Sequence, residues 1–177
     1  MSLPAPNLRQ LFLRPGELFI CREPSQVTTL LGSCVAVTMF SPRMKIGAIC
    51  HALLPYPAAG APHQRPPPSP YKYVSLAIPA MLDIFRIHDV AAPEIEVKLF
   101  GGANVLASLG EGGSEKTIGA FNIQLARQLL LELNLRVKRC HVGGEVGRKL
   151  LFNTDTGEVL LKQFSHHAKA KNQSNDR

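Results

Sequence analysis

Two apolar runs joined by a short polar bridge constrain this chain more than any other feature. Val35-Ala36-Val37-Thr38-Met39-Phe40 reads as a strand, and Ile46-Gly47-Ala48-Ile49-Cys50-His51-Ala52-Leu53-Leu54-Pro55 reads as a second. Ser41-Pro42-Arg43-Met44-Lys45 lies between them and carries turn residues. The spacing therefore predicts a hairpin with the two runs side by side. That hairpin sets two chemically distinctive residues near each other. Cys34 opens the first run, directly after Gly32-Ser33, and His51 stands toward the end of the second, seventeen positions on. A thiol presented at a glycine-marked turn beside an imidazole from the neighbouring strand is what a cysteine nucleophile with a histidine base requires.

At 177 residues and 45% apolar, the chain is long enough for one domain with a full core. No run approaches the ~20 apolar residues of a membrane-spanning helix. Met1 to Arg9 has no long apolar segment after a basic start, which predicts no secretory signal. The four cysteines (Cys21, Cys34, Cys50 and Cys140) form no C-x-x-C pair. This argues against a structural zinc site and against a disulfide scaffold, and points to a reducing, cytoplasmic setting. The formal charge of +7 suits an acidic partner. Part of it lies in a polar tail, and no basic stripe interleaved with aromatics speaks for nucleic acid.

Along the chain, Pro15-Gly16 marks a turn into a strand at Glu17 to Cys21, and Val27 to Leu31 reads as another strand. Tyr56 to Pro70 holds six prolines, reads as a surface loop, and excludes helix or central strand. Val74 to His88 has the periodicity of an amphipathic helix, with Pro79 expected near its first turn or at a kink. Ile95 to Phe100 alternates as a strand and runs into Gly101-Gly102-Ala103-Asn104, a tight loop; a glycine-rich stretch spans Gly110 to Gly113. Ile123 to Leu133 is the strongest helix, with Asn122 as a candidate cap. Val137 to Val142, Lys149 to Asn153 and Glu158 to Lys162 read as strands, the last two joined by the turn Asp155-Thr156-Gly157. Mixed strands with two main helices predict a single α+β domain, a layered α/β sandwich over residues 10–163, with flexible ends at 1–9 and 164–177.

Candidate chemistry concentrates around the hairpin. Gly32 and Ser33 form a turn that can present the Cys34 thiol and aim backbone N–H groups at an oxyanion. Thr28, six residues before Cys34, is placed to orient the imidazole. Cys21, Cys50 and Cys140 sit in strand-like runs and read as small core hydrophobes. Alternation turns Cys50 to the face opposite His51. None of the remaining histidines has metal-ligand spacing. Gly101-Gly102 and Gly143-Gly144 do not open helices in a nucleotide-binding pattern, so no metal or organic cofactor is expected. Arg148 reads either as a residue that closes a turn on backbone carbonyls or as a contact to an acidic substrate.

Taken together these segments resemble the CheD family, the chemoreceptor glutamine deamidases of bacterial and archaeal chemotaxis. The matching pieces are T-T-L-L-G-S-C-V-A-V at 28–37, G-A-I-C-H-A-L-L-P at 47–55 and K-L-F-G-G-A at 98–103. I-G at 118–119 with Asn122, and V-G-G-E-V-G-R-K at 142–149, follow in the family's order. The resemblance implies a cysteine, histidine and threonine triad, falling by motif on Cys34, His51 and Thr28, with the adjacent Thr29 as the alternative. It implies hydrolysis of specific receptor glutamines to glutamates, on a cytoplasmic coiled coil of methyl-accepting chemotaxis proteins. It also implies a second role, as a regulatory binding partner of a CheC-type phosphatase. Two positions depart from the family pattern: Phe121 stands where arginine is common, and His141 where aspartate is common.

Overall fold

Burial follows different rules in different strands, and that difference sets the architecture. The computed structural model describes residues 8–58, 69–105 and 117–164. The strands β4 (Val35–Ser41) and β5 (Ile46–Ala52) are buried at every position, so both faces of their sheet are covered. Strand β3 (Ser25–Leu31) alternates instead: Val27, Thr29 and Leu31 are buried while the residues between them are not. It belongs to an outer sheet with one face in the core.

The central sheet has five strands in the order β2 (Leu18–Cys21), β5, β4, β6 (Glu96–Gly101) and β7 (Val137–Val142). The outer sheet runs β1 (Arg9–Phe12), β3, β8 (Arg148–Asn153) and β9 (Val159–Gln163). Strand pairs β1–β3 and β6–β7 are parallel and the other pairs antiparallel. On one face of the central sheet, Val37, Met39, Ala48 and Cys50 pack against α1 (Val74–Ile87) and α2 (Ile118–Glu132). On the other face, Ala36, Ile49 and Phe100 meet Val27, Leu31, Leu150 and Phe152 of the outer sheet. Helices, sheet and sheet thus form three layers, the α+β sandwich that the sequence predicts. The sheets approach closely: a Cβ added at Gly47 would lie 2.4 Å from the Thr154 carbonyl oxygen. Among the described residues no helix is long and apolar enough to cross a membrane.

Several elements differ from their sequence expectation. Strand β1 lies at the edge of its sheet, and its four mostly exposed residues carry no alternation to announce it. Pro79 lies inside α1, past its first turn, where it removes one helical N–H donor. Pro70 begins a short 3-10 turn, Pro70–Lys72, at its first position, where a missing N–H costs nothing. Cys140 is exposed, not a core residue, whereas Cys50 is buried on the helix side of the sheet. Helix α2 starts five residues before its apolar periodicity does, with the Thr117 hydroxyl accepting from Ala120 N. Asn122 is therefore inside the helix and fully buried, not its cap. The prolines between 59 and 68, the glycines at 110–113 and the tail from 165 lie outside the described residues.

A candidate active site between the two sheets

His51 sits in β5 opposite Ala36 of β4, facing the outer sheet, and is only 2% exposed. Its Nδ1 lies 2.8 Å from Thr29 Oγ1. The Thr29 hydroxyl in turn donates to the Leu13 carbonyl at 2.8 Å. A hydroxyl has one proton to give. With that proton committed to Leu13, Thr29 accepts from His51, and Nδ1 must carry the ring hydrogen. Nε2 is then left with its lone pair, buried and without a hydrogen-bond partner among the described residues. The segment before β2 fixes the backbone around this ring: Gly16 N donates to His51 O at 2.8 Å, and His51 N donates to Glu17 O at 3.0 Å. Burial lowers the pKa of His51 from 6.5, opposed by the Leu13 carbonyl and the Glu17 charge.

The threonine that meets the imidazole is Thr29, not Thr28. Thr29 is in phase with the buried Val27 and Leu31, and β3 turns that face toward the central sheet. Thr28 is one residue out of phase, so its side chain points to the other face of β3.

Cys34 stands two residues before Ala36, on the same side of β4. It packs against the inter-sheet cluster of Leu31, Ala36, Phe100 and Leu150. It lies one residue before the terminal registered pair Val35–Ala52 and two positions along the chain from Ala36, which pairs with His51. The thiol is half-buried and is not hydrogen-bonded to His51 Nε2 in this resting arrangement. Burial raises its pKa above the ordinary thiol value of 9.0, partly offset by its own backbone N–H. Both shifts disfavour the charged forms, thiolate and imidazolium.

The turn that carries Cys34 is held by all three of its carbonyls. Ala103 N donates to Gly32 O at 2.8 Å, Asn122 Nδ2 to Ser33 O at 3.2 Å, and Gly102 N to Cys34 O at 2.7 Å. The same Asn122 nitrogen donates to Leu53 O at 2.8 Å, two residues past His51. This seat needs glycine. At Gly101 (φ +105°) a Cβ would lie 2.1 Å from the Cys34 carbonyl oxygen; at Gly119 it would lie 2.7 Å from the Gly102 oxygen. Backbone thus touches backbone where the F-G-G-A and I-G segments meet.

Arg148 anchors the next layer out. Fully buried, it donates to the carbonyls of His141 and Gly143, and to His141 Nδ1 at 2.9 Å. The turn it closes then grips the glycine loop: Gly143 N donates to Gly101 O at 2.9 Å, and Asn104 N donates to Gly144 O at 2.8 Å. Arg148 thus closes its turn on backbone carbonyls, the structural one of its two expected roles. Among the described residues no three His, Cys, Asp or Glu side chains cluster as metal ligands.

The sequence of this chain matches one family. Residues 53–163 match the family model described as CheD chemotactic sensory transduction. The chain is 41% identical over 165 residues to a probable chemoreceptor glutamine deamidase CheD 2 of Geobacter sulfurreducens, covering 93% of this chain and 96% of that one. It is 40% identical over 162 residues to a probable chemoreceptor glutamine deamidase CheD of Maridesulfovibrio salexigens, covering 91% and 95%. A more distant likeness, at 15% identity and a TM-score of 0.45, is to the Bacillus licheniformis hypothetical protein YfiH, over 71% of this chain and 49% of that one. This chain belongs to the CheD family.

The two threonines separate cleanly by stability. Thr29→Val keeps the shape but leaves the Leu13 carbonyl and the His51 Nδ1–H buried and unpaired, a cost of about 1–3 kcal/mol. Thr28→Val should stay within about 0.5 kcal/mol of the parent. Urea denaturation of the three proteins reads both values; equal losses would contradict the assignment.

Proposed function

We propose that this chain is a chemoreceptor glutamine deamidase, hydrolysing side-chain amides of selected glutamines to glutamates on receptor cytoplasmic coiled coils. The observation that carries the reading is the Thr29–His51 hydrogen bond. It fixes a bare Nε2 on the sheet face that Cys34 shares. Membership of the CheD family and the names of the relatives support the substrate class.

In this mechanism Cys34 Sγ attacks the glutamine amide carbon while His51 Nε2 takes the thiol proton. Because burial disfavours both charged forms, transfer accompanies attack; no preformed ion pair is needed. The carbonyl π electrons move to oxygen, and backbone N–H groups at Ser33 and Cys34 receive the oxyanion. As the C=O bond re-forms the C–N bond breaks, and the imidazolium protonates the departing nitrogen, which leaves as ammonia. Water then adds to the thioester carbon and gives a proton to His51. Collapse breaks the C–S bond, the proton returns to sulfur, and glutamate is released. Thr29 holds the ring in the useful tautomer throughout. The chemistry calls on no metal or organic cofactor. Receptor helices rich in acidic residues suit a chain of charge +7, which steers encounter.

Cys34→Ala should abolish ammonia release from a receptor cytoplasmic fragment without lowering the unfolding temperature appreciably, and His51→Ala should lose about 10²–10⁴-fold. Ammonia release by Cys34→Ala at the parent rate would reject the mechanism. The pH profile adds an independent check. The base works only when neutral, and its pKa is lowered from 6.5, so the acid limb of kcat/KM should have its midpoint below that value. A midpoint above 6.5 would mean that the titrating base is not this buried imidazole.

A further inference from the structure

Asn122 has no part in the triad, yet its side chain touches both halves of the site. Its amide nitrogen bridges Ser33 O, in the turn before Cys34, and Leu53 O, just after the strand of His51. Two carbonyl acceptors identify that end of the amide as the nitrogen. The residue is fully buried one turn into α2, and its Oδ1 has no partner. Gly119, a turn earlier, lets α2 come into backbone contact with the Gly102 loop.

The geometry of a trans peptide gives this clamp a consequence. No described peptide bond is cis, and in a trans unit the N–H points opposite to the C=O. The Ser33 carbonyl is drawn toward α2 by Asn122, so the N–H of Cys34 is turned away from α2. The Gly32 carbonyl is drawn to Ala103 N, which turns the N–H of Ser33 away from the Gly101–Ala103 loop. Those are the two donors that the proposed mechanism assigns to the oxyanion. The Gly32 and Cys34 carbonyls are held by backbone groups, which a side-chain truncation leaves in place; the Ser33 carbonyl is held by a side chain.

We propose that Asn122 is a positioning residue for the oxyanion site: it orients the Ser33–Cys34 peptide so that the Cys34 N–H meets the developing negative oxygen. This rests on Cys34 being the nucleophile, but not on glutamine being the substrate. It separates two properties of the thiol. Alkylation displaces a halide and develops no oxyanion, so it reports thiol ionisation and access alone. Acylation by an ester passes through a tetrahedral oxyanion and needs the donor in place.

The experiment compares parent and Asn122→Leu, which keeps the branched volume and removes both polar atoms, with Asn122→Ala as a second variant should the first not fold. Cys34 is treated with iodoacetamide or with p-nitrophenyl acetate at one alkaline pH, and modification is read at that cysteine by peptide mass spectrometry. Ammonia release from the receptor fragment is measured alongside. Acylation and kcat should fall by about 10–100-fold, approaching the loss of an oxyanion donor. KM and the alkylation rate should stay within about threefold of the parent. Acylation unchanged, or alkylation falling in step with it, would overturn the proposal. A parent acylated at Cys34 but releasing no ammonia would sink the deamidase reading alone, and a parent not acylated there would sink the positioning role too.

Discussion

The hydrogen bond between Thr29 and His51 is the contact on which the site turns. It crosses from the outer sheet to the central one, so it exists only when the two sheets are stacked in register. Its direction is not free. The Leu13 carbonyl takes the threonine proton, and so the imidazole must donate. A single main-chain oxygen thereby decides which ring nitrogen is left basic. Burial reinforces the outcome by disfavouring the charged ring. The fold supplies an imidazole of fixed tautomer whose charged form is disfavoured by burial.

Around that base the molecule builds outward in shells of backbone contact. The turn bearing Cys34 is held by the loop Gly101–Ala103 and by α2; that loop is held by the turn at Gly143–Gly144, and that turn is closed by Arg148. The inner steps require glycines whose missing Cβ permits the approach, Gly101 and Gly119, and the outer turn rests on the positive φ of Gly143 and Gly144 and on Arg148. The segments that resemble the CheD family are, in physical terms, these steps. A guanidinium placed among main-chain oxygens serves to define shape. Such a rigid seat suits a reaction whose oxyanion donors are main-chain groups, since preorganised donors need no rearrangement as charge develops.

The hairpin was legible because two nearly continuous apolar runs flank a short turn, and continuity is the mark of strands covered on both faces. The placing of Cys34 and His51 on one face follows from that register alone. What the sequence hid was phase and distance. Thr28 and Thr29 differ by one position, which in a strand is a change of face, and Leu30 beside Leu31 blurs the alternation that would have chosen between them. Asn122 looked like a cap because an amide before an apolar helix usually is one. The first turn of α2 carries exposed Ile118 and Phe121, so the periodicity begins too late to reveal it. Its partners lie 89 and 69 positions away, and no local pattern encodes such a pairing.

The most direct test is the protonation of the His51 ring, read by ¹⁵N NMR of histidine-labelled protein at neutral pH. The account predicts a neutral ring with the proton on Nδ1 and a bare Nε2, a preference that weakens in Thr29→Val. A proton on Nε2 in the parent, or a doubly protonated ring, would contradict it.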